Sequence, residues 1–262
     1  MRSTSSALLG ALILGFCSAS AQADERVLLS GGRGQVSYGA TNLNDFSHSF
    51  RTAEGLDLDQ GFGPFGTASG PRFDVGYMHS NDKGLAYLAT LGFTDYEENA
   101  IALYDDGAWR ELEVELKDLT FGFEVGLVQE HFLFTFVGEV RRRDVELTSA
   151  LRRPDGTPST DDPLVGRYET EISSIGSVGA SIGVGKDPVY LVLRWTTDVS
   201  YVPRGYLTDS SPYKSQEGSA MFPMDYAAFE AGTAPGAFNG IYGGDFVGQT
   251  LSLSLVILAP VE

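Results

Sequence analysis

Hydrophobic and polar residues alternate most strictly between 119 and 141. From Leu119 the odd positions are Leu119, Phe121, Phe123, Val125 and Leu127, and the even positions are Thr120, Gly122, Glu124 and Gly126. A period of two marks a strand with two unlike faces. After Gln129-Glu130 the alternation resumes with its parity switched: Phe132, Phe134, Phe136, Gly138 and Val140 against Thr135, Glu139 and Arg141. Antiparallel arms joined by a two-residue turn keep their apolar residues on one face. A turn at Gln129-Glu130 sets Phe123 opposite Phe136, Val125 opposite Phe134 and Leu127 opposite Phe132. It also sets Asp118 opposite Arg141 and Thr120 opposite Glu139. A soluble sandwich would bury the aromatic face, and a membrane barrel would turn it towards lipid. The hairpin alone fits both.

Six further alternating stretches lie at about 34–42, 71–78, 85–94, 170–184, 189–201 and 250–258. Most span about 9–11 residues or more, the length a tilted strand needs to cross a bilayer. Ser80–Gly84, Gln129-Glu130 and Gly185–Pro188 read as tight turns built from turn-forming residues. Between them lie longer segments at about 43–70, 95–115, 145–168 and 203–247, read as loops. Short and long connections alternating over eight strands give an all-β fold: an eight-stranded antiparallel up-and-down transmembrane barrel, with long loops on one rim and tight turns on the other.

The N-terminus supports export. Arg2, the apolar run Leu8–Phe16 and the Ala21-Gln22-Ala23 cleavage pattern read as a secretory signal peptide over 1–23, leaving 24–262 as one barrel domain. The apolar run is too short for a spanning helix, and no longer one follows it. Cys17, the one cysteine, leaves with the signal, so the mature chain has no disulfide and no thiol chemistry. Without Arg2, 17 Lys and Arg face 35 Asp and Glu, a net charge of −18. That balance argues against a nucleic-acid partner, which needs a basic face.

The pattern resembles the eight-stranded outer-membrane β-barrel class of Gram-negative bacteria, the OmpA/OmpX-like or porin-family-type barrels. The resemblance covers the whole mature chain and rests on pattern, not on a single motif. It implies a monomer in the cell outer membrane, in contact with outer-membrane lipid and lipopolysaccharide. The class usually ends on an aromatic residue. This chain ends Leu258-Ala259-Pro260-Val261-Glu262, which implies an altered assembly signal.

In that arrangement Arg72, Asp74, Asp118, Glu124, Glu139, Arg141, Arg194 and Asp198 point inward. An eight-stranded barrel is just wide enough to be filled by side chains. These charges are therefore expected to pair as a structural polar network, with a gated ion path as the sharper alternative. No catalytic residue, cofactor site or metal site is expected. His48-Ser49 and His79-Ser80 raise a lipid A-modifying enzyme, but neighbours on a strand point to opposite faces. A soluble periplasmic ligand-binding β-barrel is the third reading. Segment 95–115 is dense in carboxylates and suits divalent cations at an acidic loop. Arg141-Arg142-Arg143, at the loop end of the fifth strand, suits lipopolysaccharide phosphates or the acidic loops. The last loop is rich in aromatic rings, with one or two helical turns expected at Met224–Ala231, and should pack as a lid or against a partner.

Overall fold

The computed structural model describes residues 24–39, 58–60, 65–159, 165–203, 208–209 and 243–261. Eight long strands follow one another in sequence. They are β1 (Asp24–Tyr38), β2 (Thr67–Ser80), β3 (Leu85–Tyr104), β4 (Trp109–Gln129), β5 (Phe132–Arg152), β6 (Gly166–Lys186), β7 (Val189–Pro203) and β8 (Gly248–Pro260). Each pairs antiparallel with its neighbours in the chain, and β8 closes on β1. The result is one antiparallel sheet closed into a ring. Three short bridges join it: Leu58–Gln60 on β3, Pro158–Ser159 on β5 and Thr208–Asp209 on β6. No helix among the described residues is long and apolar enough to cross a membrane.

The strands are longer than their most regular alternation suggests. β1 starts at Asp24, ten residues before the stretch expected at 34, and ends at Tyr38, short of 42. Its first half hides the period because apolar residues occupy both faces, with Leu28 buried and Leu29 half exposed. Segment 95–115 is not a loop. β3 and β4 run through it and meet at a tight turn where Gly107 takes a φ of +84° and donates to the Tyr104 carbonyl at 2.9 Å. Likewise β5 continues to Arg152, where Gly156 closes a second turn on the Arg153 carbonyl at 2.8 Å. Both glycines occupy the left-handed region that other residues avoid. This rim therefore carries two tight tips, and the strict short–long alternation fails there.

The β4–β5 register also differs from expectation. The turn is Glu130-His131, with Gln129 opposite Phe132. Val125 therefore faces Phe136, Leu127 faces Phe134 and Asp118 faces Arg143. A slip of two residues leaves every side chain on its expected face. In the observed register Asp118 meets the Arg143 guanidinium inside the ring.

Polarity is layered along the ring axis. In a lower belt the outer face is apolar: Phe121, Phe136, Leu191, Trp195 and Leu253 are all at least 45% exposed. Behind this belt, towards the turn rim, a buried cluster that includes Leu28, Met78, Leu88, Leu133, Tyr190 and Leu258 fills the interior. Above it lies a charged layer. Above that, a second buried cluster is built on Val36, Tyr96, Leu112, Val114, Leu116, Val145 and Leu147. At this upper level the outer face turns acidic. β4 shows the inversion within one strand: Glu111, Glu113, Glu115 and Lys117 continue the outward row that Leu119, Phe121 and Phe123 occupy lower down. The interior is thus not polar throughout, as a uniform barrel pattern would have it.

Candidate functional site

The charged layer lies inside the ring at mid-height. Arg72, Asp74, Asp118, Glu124, Glu139 and Arg141 are each 6% exposed or less. The side chains of Arg194 and Asp198 are 12% and 2% exposed. They come from four strands, each on the inward parity of its own alternation. β2 supplies Arg72 and Asp74, β4 supplies Asp118 and Glu124, β5 supplies Glu139 and Arg141, and β7 supplies Arg194 and Asp198. β8 adds the Thr250 hydroxyl.

The pairs form one connected network. Arg72 sits 2.9 Å from Asp74 and 3.1 Å from Glu139. Arg194 bridges Glu139, at 3.2 Å, to Glu124, whose carboxylate also accepts from the Thr135 hydroxyl at 2.5 Å. Arg141 reaches Asp198 at 2.9 Å and Asp118 at 3.5 Å, and donates to the hydroxyls of Thr250 and Ser177 at 2.9 and 2.7 Å. Asp198 in turn accepts the Gly248 amide at 2.8 Å, tying the network to the start of β8. A lone buried charge costs several kcal/mol, so cross-strand pairing of this kind is what lets so many charges stay inside.

Arg143 was missed as an interior residue. It is fully buried, and its Nε and Nη2 both lie 2.6 Å from the Asp118 carboxylate. It also donates to the Phe246 carbonyl. The expected basic cluster at 141–143 is therefore split. Arg141 and Arg143 turn inward, and only Arg142 faces out, paired with Asp144 at 3.1 Å and Glu171 at 3.3 Å. Parity was the available signal, because Arg143 shares the face of Glu139 and Arg141 on a strand that simply continues.

The end of the last loop plugs the upper interior. A short 3-10 turn, Gly243–Phe246, buries Phe246 completely, with its ring 5.3 Å from that of Tyr38. Tyr38 donates to Glu98, which also accepts the Gly66 and Thr67 amides at 3.1 Å each. Burial, reinforced by the Glu98 carboxylate, holds the Tyr38 hydroxyl well above its ordinary pKa. The helical turns expected at Met224–Ala231 lie outside the described residues, as does His48.

At the turn rim a recess of about 500 Å³ opens between the strand ends. Met78, Val128 and Tyr190 of the lower apolar cluster contribute to its lining. Arg26 pairs there with Asp24 and Asp187. His79 and Ser80 lie side by side on β2, with Ser80 buried and His79 on the opposite parity. His131 stands on the β4–β5 turn, 3.7 Å from Glu130. Among the described residues, no group of three or more His, Cys, Asp or Glu side chains is placed to hold a metal. Comparison with known proteins adds no identity: no family model, no curated protein and no solved structure matches the chain.

Proposed function

We propose that this chain is an integral outer-membrane β-barrel of a Gram-negative cell, exported by its N-terminal signal segment. Its role is structural or surface-directed, with no catalytic step. The observation that carries this reading is the outward apolar belt on a closed ring that, behind and just above the belt, keeps its charges inside. On β3, β4 and β5 the belt runs through Leu85–Phe93, Leu119–Leu127 and Phe132–Val140. Nine residues rising ~3.3 Å each on strands tilted about 40° span roughly 20 Å, close to the apolar band of known outer-membrane barrels. A soluble ligand-binding barrel would turn Phe121, Phe136 and Leu253 inward, yet each is at least half exposed.

The interior supports a closed ring more than a pore. The charged layer is paired across strands, and buried apolar clusters stand above and below it. Among the described residues, the buried apolar side chains of Leu88, Leu133 and Leu258 stand in the interior below the charged layer, an unfavourable path for ions.

Fractionation tests the reading directly. The protein is expected in the outer-membrane fraction, running faster on a gel unboiled than boiled. Release by osmotic shock, with equal mobility in both states, would end it. In a planar bilayer the purified protein should give no steady conductance, and stable channel steps would show that the interior opens.

A further inference from the structure

The β3–β6 side of the ring stands taller than the rest, and above the belt its outer face carries carboxylates in register. Glu97 lies opposite Glu115, Glu115 opposite Glu146, and Glu146 opposite Glu169. Four glutamates thus form a single row across four strands. Directly opposed side chains in a sheet sit about 5 Å apart at Cβ, and like charges there repel. The row below is Asp95, Lys117, Asp144 and Glu171, and the row above is Asn99, Glu113, Thr148 and Arg167.

Cations bracket the row without matching it. Lys117 is 2.5 Å from Glu115, and Arg167 is 2.6 Å from Glu146 and 2.9 Å from Glu169. Lower down Arg142 holds Asp144 and Glu171, and higher up Arg152 lies 3.1 Å from Glu111. Among the described residues of this outer face, Lys117, Arg142, Arg152 and Arg167 are four cations beside nine carboxylates: Asp95, Asp144, Glu171, the four row glutamates, Glu111 and Glu113.

Among the described residues the flanks add one cation, Arg33. Ser69 of β2 lies opposite Glu97, and Arg33 of β1 reaches that serine at 3.2 Å. On the far side Thr208–Asp209 pairs with β6 beside Glu169, and β7 ends in Val202 and Pro203. Behind the wall lie Leu112, Val114, Leu116, Val145 and Leu147, with Tyr96 and Tyr168. The charged groups on that inner side are Glu98, bound to Tyr38, Arg110, bonded to Tyr104 and Ser149, and Arg143, bound to Asp118.

We propose that this wall is a charge-controlled device: the upper half of the ring tightens when protons or salt weaken the repulsion along the glutamate row, and loosens at neutral pH in low salt. Burial, then Glu115, Glu97 and Glu111, raise the Glu113 carboxyl above its ordinary pKa. Burial also raises Glu146, against Arg167 and with Glu115. A carboxyl raised on folding binds more protons folded than unfolded. The stability it contributes is fully present below the ordinary carboxylate pKa and is lost as pH rises through the raised value. The device does not depend on the membrane reading, since fractionation can fail while the wall still responds.

Hydrogen exchange of the full chain in non-ionic micelles, corrected for intrinsic rates, tests it. At about 20 mM salt, moving from about pH 7.5 to about pH 5 should raise protection in 95–117 and 144–171 about tenfold, with 119–140 unchanged. Raising salt to about 1 M at pH 7.5 should do the same, because the screening length falls to about 3 Å. The E115Q/E146Q double variant should show higher protection than the unmodified chain at pH 7.5 and a smaller response to both acid and salt. Equal protection at both pH values, or belt and wall changing together, would overturn the proposal. If the variant fails to fold, the salt series on the unmodified chain decides.

Discussion

Strand β4 carries two opposite solutions to one problem. Over Leu119–Leu127 its outer side is aliphatic and aromatic, and its inner side holds Thr120 and Glu124. Over 111–117 the outer side is Glu111, Glu113, Glu115 and Lys117, and the inner side is Leu112, Val114 and Leu116. β3 changes between Phe93 and Asp95, and β5 between Val140 and Arg142. Three adjacent strands thus invert polarity within one step of each other, with Arg142 of β5 opposite Leu119 of β4. The upper half is stabilised as a water-soluble sheet is, by burying apolar side chains on its concave face. The lower half keeps its apolar groups outside, so water around the belt would be unfavourable. The two halves meet at Asp118, which holds Arg143 above and lies within 3.5 Å of Arg141. The difference teaches that alternation identifies the two faces of a strand without fixing which of them is oily.

That contrast can be broken in several places. The largest effect should come at the junction. Asp118→Ala leaves the buried Arg143 guanidinium without its carboxylate and should cost about 3–5 kcal/mol. Urea unfolding from vesicles measures it, and a loss below ~1 kcal/mol would mean that water reaches the layer. In the upper half Leu147→Ala opens a cavity in a fully buried site and should cost about 2–5 kcal/mol in micelles or vesicles alike. In the belt Phe136→Arg should cost about 2–4 kcal/mol in a bilayer. The same exchange should cost far less in a soluble sheet, so refolding yield into vesicles reads out the proposed medium. The smallest effect reverses sign. Asn99→Lys places a cation opposite Glu113 and should stabilise by a few tenths of a kcal/mol at low salt, fading at high salt. Destabilisation there would show that the wall is already balanced.

Much of the fold was legible because period-two alternation is a local property. The eight inward residues from Arg72 to Asp198 could be read one strand at a time, and so could the turns at Asn81 and Gly84. There the Asn81 side chain accepts the Lys83 and Leu85 amides at 3.0 Å. The upper half was harder to read. Its carboxylates resemble a solvated loop when counted by composition, and only their partners, Leu112, Val114 and Leu116, reveal a strand. Phe246 gave no periodic signal at all. Its burial depends on the interior surface formed by β1, β5 and β6.

By itself the chain determined which side chains share a face, because successive residues of a strand must point opposite ways. It did not determine the register, because a slip of two residues leaves every face intact. Interactions between residues far apart in sequence, such as Arg72 with Glu139 and Arg143 with Asp118, decide which pairs meet. Their energy depends on distances that no local pattern encodes.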